Sequence, residues 1–198
     1  KKLKFLKNSK SIDLIEFRFD TFEENDFSKL DKYLKILKFS KKQNIKAIFT
    51  FRKSQAYDDE IRFSKFLDLI EKYTPDFVDI DLIDLDLINL DLINLDLVEK
   101  ISEISPSTKI ILSFHEFTKK EYSLSELEKK FEKLFANRGM FKKTKIFKFA
   151  ITPKNSITAL HLCLFAKQLK DQGINFIGIS MQKEFSFSRV LGYFYNYI

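Results

Sequence analysis

The 198-residue sequence predicts an α/β fold of the (β/α)8, or TIM barrel, type, on three observations. Short apolar segments alternate with longer amphipathic ones, the pattern of a parallel sheet wrapped by helices. Polar residues gather where the apolar segments end, and in a barrel the C-terminal strand ends bring catalytic groups from different strands to one mouth. No GxGxxG follows the first segment, so the doubly wound dinucleotide-binding alternative lacks its fingerprint.

The elements follow in order. Residues Ile12 to Phe19 read as a strand, and Phe27 to Gln43 carries leucines, isoleucines and aromatics at helical spacing. Ala47 to Phe51 is the next strand, Asp59 to Tyr73 a helix, and Phe77 to Asp81 a strand. A helix near Leu95 to Ile104, a strand Ile110 to Phe114 and a helix Leu124 to Phe135 come next. Ile146 to Ile151 makes a fifth strand, Ser156 to Gln172 a helix, and Phe176 to Ser180 a sixth strand before a helical stretch from Ser186. One segment breaks the rhythm: from Asp81 the chain reads DLIDL, DLINL, DLINL, DLVEK. A period of five keeps its leucines on one face of neither helix nor strand. This tract at 81–98 is expected to be a tandem expansion that lengthens a loop or a helix start.

Composition narrows the function classes. The net charge is +7, but the basic residues are mostly lysines scattered among 28 acidic groups. With no basic run interleaved with stacking aromatics, a solvated surface is expected rather than a nucleic-acid footprint. A lone Cys163 cannot form an intramolecular disulfide or a Cys-rich metal site, and in its apolar helical setting it reads as a packed thiol. No apolar run reaches the ~18 residues of a membrane span. A soluble, cytoplasmic protein with no membrane partner is the expectation.

The chemistry points to Lys148, in the middle of Lys145-Ile146-Phe147-Lys148-Phe149-Ala150. A lysine held among apolar groups loses hydration of its charged form, which makes a neutral, nucleophilic amine accessible for Schiff-base formation. The bland reading is a strand lysine that snorkels to solvent. Its companions favour the chemical one: Glu16 and Arg18, Arg52, Asp79 and Asp81, His115 and Met181 all fall at strand ends.

Glu16-Phe17-Arg18-Phe19-Asp20, Phe49-Thr50-Phe51-Arg52, Val78-Asp79-Ile80-Asp81, Ser113-Phe114-His115-Glu116-Phe117, Phe147-Lys148-Phe149-Ala150 and Ser180-Met181 with Ser188-Arg189 together resemble, in order and spacing, the type I 3-dehydroquinate dehydratases of the shikimate pathway. The resemblance implies a single aldolase-like barrel domain over residues 1–198 that dehydrates 3-dehydroquinate without metal or cofactor. It implies Lys148 as the imine-forming group and His115 as acid and base, with Asp79 orienting the imidazole. Arg189 would clamp the substrate carboxylate, while Glu16, Arg18, Arg52 and Met181 would hold ring hydroxyls and shape the pocket. Of the two histidines, His161 lies between Leu160 and Leu162 in a helical pattern and reads as structural.

The chain also departs from that family. Lys53-Ser54-Gln55-Ala56-Tyr57 replaces the acidic residue and glycine pair usual after the arginine, and no glycine follows Met181 within Gln182 to Phe185. Lys1 to Lys10 offers no counterpart of the first strand, and nothing after the Ser-Arg helix supplies the last. The expectation is strands two to seven of eight, with two edges that would otherwise pair: a piece of a longer chain, part of a fusion to shikimate dehydrogenase, or a degraded copy kept as a structural or interaction domain. A homodimer and another Schiff-base lyase or aldolase on the same barrel stay open.

Overall fold

The computed structural model describes residues 12–21, 27–53, 58–82, 95–135 and 144–195. Among them six strands alternate with six α-helices: β1 (Leu14–Arg18), α1 (Phe27–Lys42), β2 (Lys46–Thr50), α2 (Asp59–Tyr73), β3 (Phe77–Asp81), α3 (Leu95–Ile104), β4 (Lys109–Lys120), α4 (Leu124–Phe135), β5 (Thr144–Pro153), α5 (Ser156–Asp171), β6 (Asn175–Ser180) and α6 (Phe187–Tyr195). The class is α/β, in the element order the sequence predicts. The expectations for Lys1 to Lys10, for Ser54 to Tyr57 and for most of the five-residue repeat fall outside the described residues. None of the described helices is long and apolar enough to cross a membrane.

The chain divides into two compact units, one of Lys1–Ile80 with Asp96–Thr108, the other of Asp81–Leu95 with Lys109–Ile198. In the first, β1, β2 and β3 pair in parallel, with Arg18 opposite Thr50 and Thr50 opposite Asp79. Residues in register on parallel strands share a face and alternate along each strand. Glu16, Arg18, Thr50 and Asp79 therefore line one face, and Phe17, Phe49 and Val78 the other. On the apolar side Phe17 and Phe19 meet Phe49 edge-on at 5.9 and 4.9 Å between ring centroids, and Phe51 meets Phe66 of α2 at 5.9 Å. Such edge-to-face pairs contribute about 0.5–1.5 kcal/mol each beyond burial. The start of α2 is fixed by Asp58, whose side chain accepts from the Glu60 amide at 2.9 Å. Its end is closed by Thr74 in the left-handed region, whose amide donates to Ile70 O.

In the second unit β4, β5 and β6 pair in parallel, with Ser113 opposite Lys148 and Lys148 opposite Ile177. Alternation decides where the lysine goes. Phe147 and Phe149 face the helices, and Phe131 of α4 sits among Phe135, Phe147, Phe149, Phe165 and Phe176 at centroid distances of 5.0–6.1 Å. Two phenylalanines committed to that cluster force Lys148, between them, onto the opposite face with Ser113 and His115. Gly178 lets β6 lie close to α5, since a Cβ there would stand 3.2 Å from Leu162 Cγ. Asn155 caps α5 by accepting from the Thr158 amide at 2.9 Å.

β4 is longer than the apolar run Ile110 to Phe114 suggests, because pairing with β5 continues through Glu116 opposite Ile151 and resumes at Lys120 opposite Pro153. His115 thus lies inside a strand, where backbone pairing on β5 holds it, rather than just past its end.

Candidate active site

Lys148 is 9% exposed and shares a sheet face with His115, one strand and two residues away. Ideal spacings put their Cα atoms about 8 Å apart, a gap that an extended lysine and an imidazole can both reach into. His115 is itself buried, and its Nδ1 lies 2.6 Å from Oδ2 of Asp81, the last residue of β3. The amide of the next residue, Leu82, donates to Ser113 O at 2.7 Å and ties this strand end to β4. A carboxylate this close to Nδ1 favours the tautomer that carries its proton on Nδ1 rather than on Nε2.

Asp81 thus places a carboxylate against His115, while the sequence reading gave the orienting role to Asp79. The two are one strand repeat apart on the same face, so the residue types alone do not choose between them. Asp79 is buried in the first unit, opposite Thr50 in register, and its negative charge is among those felt by Arg18. Phe117 is a residue the sequence reading quoted without a role. Its ring lies 6.1 Å from that of His115 at an interplanar angle of 19° and is 67% exposed, an apolar surface beside the imidazole. An aromatic two positions beyond a strand-borne histidine was the signal for it.

Around Phe117 the strand end is pinned from its other face. Glu116 accepts from Lys120 Nζ at 2.8 Å and from the Tyr122 hydroxyl at 3.3 Å. Burial, followed by the nearby Glu116 charge, pushes the Tyr122 phenol up to about 12. His161, read as structural, places Nδ1 2.8 Å from Tyr122 O, which ties α5 to the same segment. Met181 follows β6, half-buried, with its amide donating to Ile151 O at 2.9 Å. Arg189 stands exposed in the first turn of α6.

The first unit gathers Glu16, Arg18 and Asp79 on one face. Thr50 Oγ1 donates to Glu16 Oε1 at 2.8 Å. Arg18 forms a fork on Asp20, Nε to Oδ1 at 2.9 Å and Nη2 to Oδ2 at 2.6 Å, made possible because the chain leaves β1 in a 3-10 turn at Phe19–Thr21. That bond, above all, raises the guanidinium pKa above its ordinary value. Two of its donors are thereby directed at Asp20, which fixes the plane of the group. Arg52 lies two residues past β2, half-buried.

The family model for type I 3-dehydroquinase matches residues 2–198. No curated protein sequence matches the chain. Among solved structures, the 3-dehydroquinate dehydratase of Enterococcus faecalis superposes with a TM-score of 0.67 at 20% identity, covering 93% of this chain and 74% of that one. The type I enzyme of Clostridium difficile, solved with covalent modified comenic acid, gives 0.70 at 18% identity over 98% of this chain and 74% of the other. The dehydroquinate dehydratase and shikimate dehydrogenase of S. pombe gives 0.67 at 20% identity, over 91% of this chain and 34% of that one. At these identities the likeness shows the fold, in agreement with the expected partial (β/α)8 barrel.

Proposed function

The chain belongs to the type I 3-dehydroquinase family, and from that premise we propose that it removes water from 3-dehydroquinate to give 3-dehydroshikimate through an imine on Lys148. The neutral amine of Lys148 adds to the C3 ketone, and loss of water from the adduct leaves a protonated imine. That cation withdraws electrons from C2, so its proton becomes acidic enough for Nε2 of His115 to remove, giving an enamine. Collapse of the enamine breaks the C1–O bond, and the His115 imidazolium gives its proton to the departing hydroxyl. Hydrolysis of the imine frees the product and restores Lys148. One water is lost overall, and no oxidant or reductant takes part.

The observation that carries this reading is the buried Asp81–His115 contact at 2.6 Å on the sheet face that also holds Lys148. It supports His115 as a base of defined tautomer beside a strand-borne amine, with Asp81 as the orienting carboxylate. Arg189 is assigned to the substrate carboxylate, for which a planar, two-pronged donor suits better than a lysine. Glu16, Arg18 and Arg52 are assigned to the ring hydroxyls. For Arg18 the Asp20 fork supplies a fixed orientation at the cost of two donors. Met181 and the exposed Phe117 ring are assigned to the apolar walls.

Steady-state dehydration of 3-dehydroquinate by the purified chain tests the proposal. His115→Ala is expected to keep imine formation measurable while dehydration falls by about 10²–10⁴. Equal turnover in that variant would exclude His115 as the base, and absence of turnover in the unmodified chain would contradict the activity itself.

A further inference from the structure

Arg62 is 1% exposed, and the proposed reaction gives it no part. Guanidinium groups are rarely fully buried, and taking one out of water is tolerated only when its donors are satisfied. Nη1 donates to the backbone carbonyl of Phe51 at 2.7 Å, and Nη2 to Oδ1 of Asp59 at 3.0 Å. The guanidinium carbon stands 4.3 Å from the Phe63 ring centroid. The other oxygen of the same Asp59 accepts from Lys53 Nζ at 2.8 Å, and the hydrogen bond from Lys53 leads the interactions that keep the Asp59 carboxyl below its ordinary pKa.

Phe51 and Lys53 are the two neighbours of Arg52. Each is tied to the first turn of α2, one through its carbonyl and the other through its ammonium, and the Phe51 ring adds a contact with Phe66 farther along that helix. Arg52 is bracketed on both sides by a single Arg62–Asp59 unit.

We infer that Arg62, acting with Asp59, is a positioning residue that sets the backbone at Arg52 and so the placement of the Arg52 guanidinium on the substrate. The inference rests on the substrate-binding role proposed for Arg52. A planar fork serves a carbonyl and a carboxylate in fixed, divergent directions, whereas the lysine ammonium is a compact point charge on a flexible stem. Misplacement of a binding group by about 1 Å can cost up to about a hundredfold, so a bracket of this kind acts through substrate affinity.

The test measures KM and kcat for 3-dehydroquinate in Arg62→Lys, Arg52→Ala and the double variant, with circular dichroism and thermal melting to establish folding. Arg62→Lys is expected to raise KM about tenfold with kcat changed less than about twofold, the pattern of lost uniform binding. In the Arg52→Ala background the same change is expected to add nothing, because the group being positioned is gone. A purely structural role predicts equal, additive effects in both backgrounds, and that result, or an unchanged KM in folded Arg62→Lys, overturns the inference. Should Arg62→Lys not fold, Asp59→Asn reads the same coupling from the exposed side of the bracket, with about a threefold rise in KM that must vanish without Arg52. A parent chain that neither binds nor turns over 3-dehydroquinate would instead overturn the reading of Arg52, and the inference with it.

Discussion

Replacing Asp81 by Asn is the perturbation that most sharply separates the two candidate partners of His115. The Nδ1 to Oδ2 distance is 2.6 Å and the side chains of His115 and Asp81 are 2% and 8% exposed, so water does little to screen the contact. A close polar contact with a charged group contributes about 1.5–3 kcal/mol, and at about 1.4 kcal/mol per tenfold in rate its loss alone is expected to slow proton transfer about ten- to a hundredfold. An amide in place of the carboxylate can also present its NH₂ to Nδ1 and favour the wrong tautomer, which extends the loss towards about 10⁴. The assay pairs steady-state dehydration with borohydride trapping at saturating 3-dehydroquinate. Asp81→Asn should lower kcat by the stated factor and leave trapping at the lysine intact. Asp79→Asn, next to Arg18 in the electrostatics of the first unit, should change KM and keep kcat within about threefold. The reverse, a large kcat loss in Asp79→Asn with little change in Asp81→Asn, would refute the assignment.

Other expectations concern the framework that aims these groups. Phe131→Ala removes the ring at the centre of the six-phenylalanine cluster behind Lys148 and should cost about 3–5 kcal/mol in denaturant unfolding; a loss below about 1 kcal/mol would show that the cluster does not hold β5. Asn155→Ala should cost about 1 kcal/mol by uncapping α5, read from the same unfolding curves. The Tyr122 phenol is raised to about 12 in the folded chain against about 10 unfolded. Its contribution is therefore complete below pH 10 and lost as pH rises towards 12, because the unfolded chain releases that proton first. Tyr122→Phe should flatten the fall of stability across that window, and an unchanged slope would contradict it.

The fold was legible wherever local patterning and tertiary packing agreed. Phe147-Lys148-Phe149 shows by alternation alone that the lysine faces away from the two rings, and the structure adds only what those rings pack against. The strand through His115 was read short because its apolar run ends at Phe114, while pairing with β5 carries on into polar residues that hydropathy does not mark. Asp79 and Asp81 could not be separated for a related reason. Both are two-residue repeats on one strand face, and the Asp81–His115 contact joins segments more than thirty residues apart. The Arg18–Asp20 fork depends on a turn just past β1 that strand periodicity does not announce. Arg62 carries no signal in the sequence because its partner is a backbone carbonyl eleven positions earlier, and such contacts have no residue-type signature.

The imine on Lys148 is the central claim, and borohydride reduction in the presence of 3-dehydroquinate followed by peptide mass mapping tests it most directly. The account predicts a ligand-derived mass fixed to the peptide at Lys148 and absent in Lys148→Ala. An unmodified chain at saturating ligand, or labelling that survives Lys148→Ala, would contradict it.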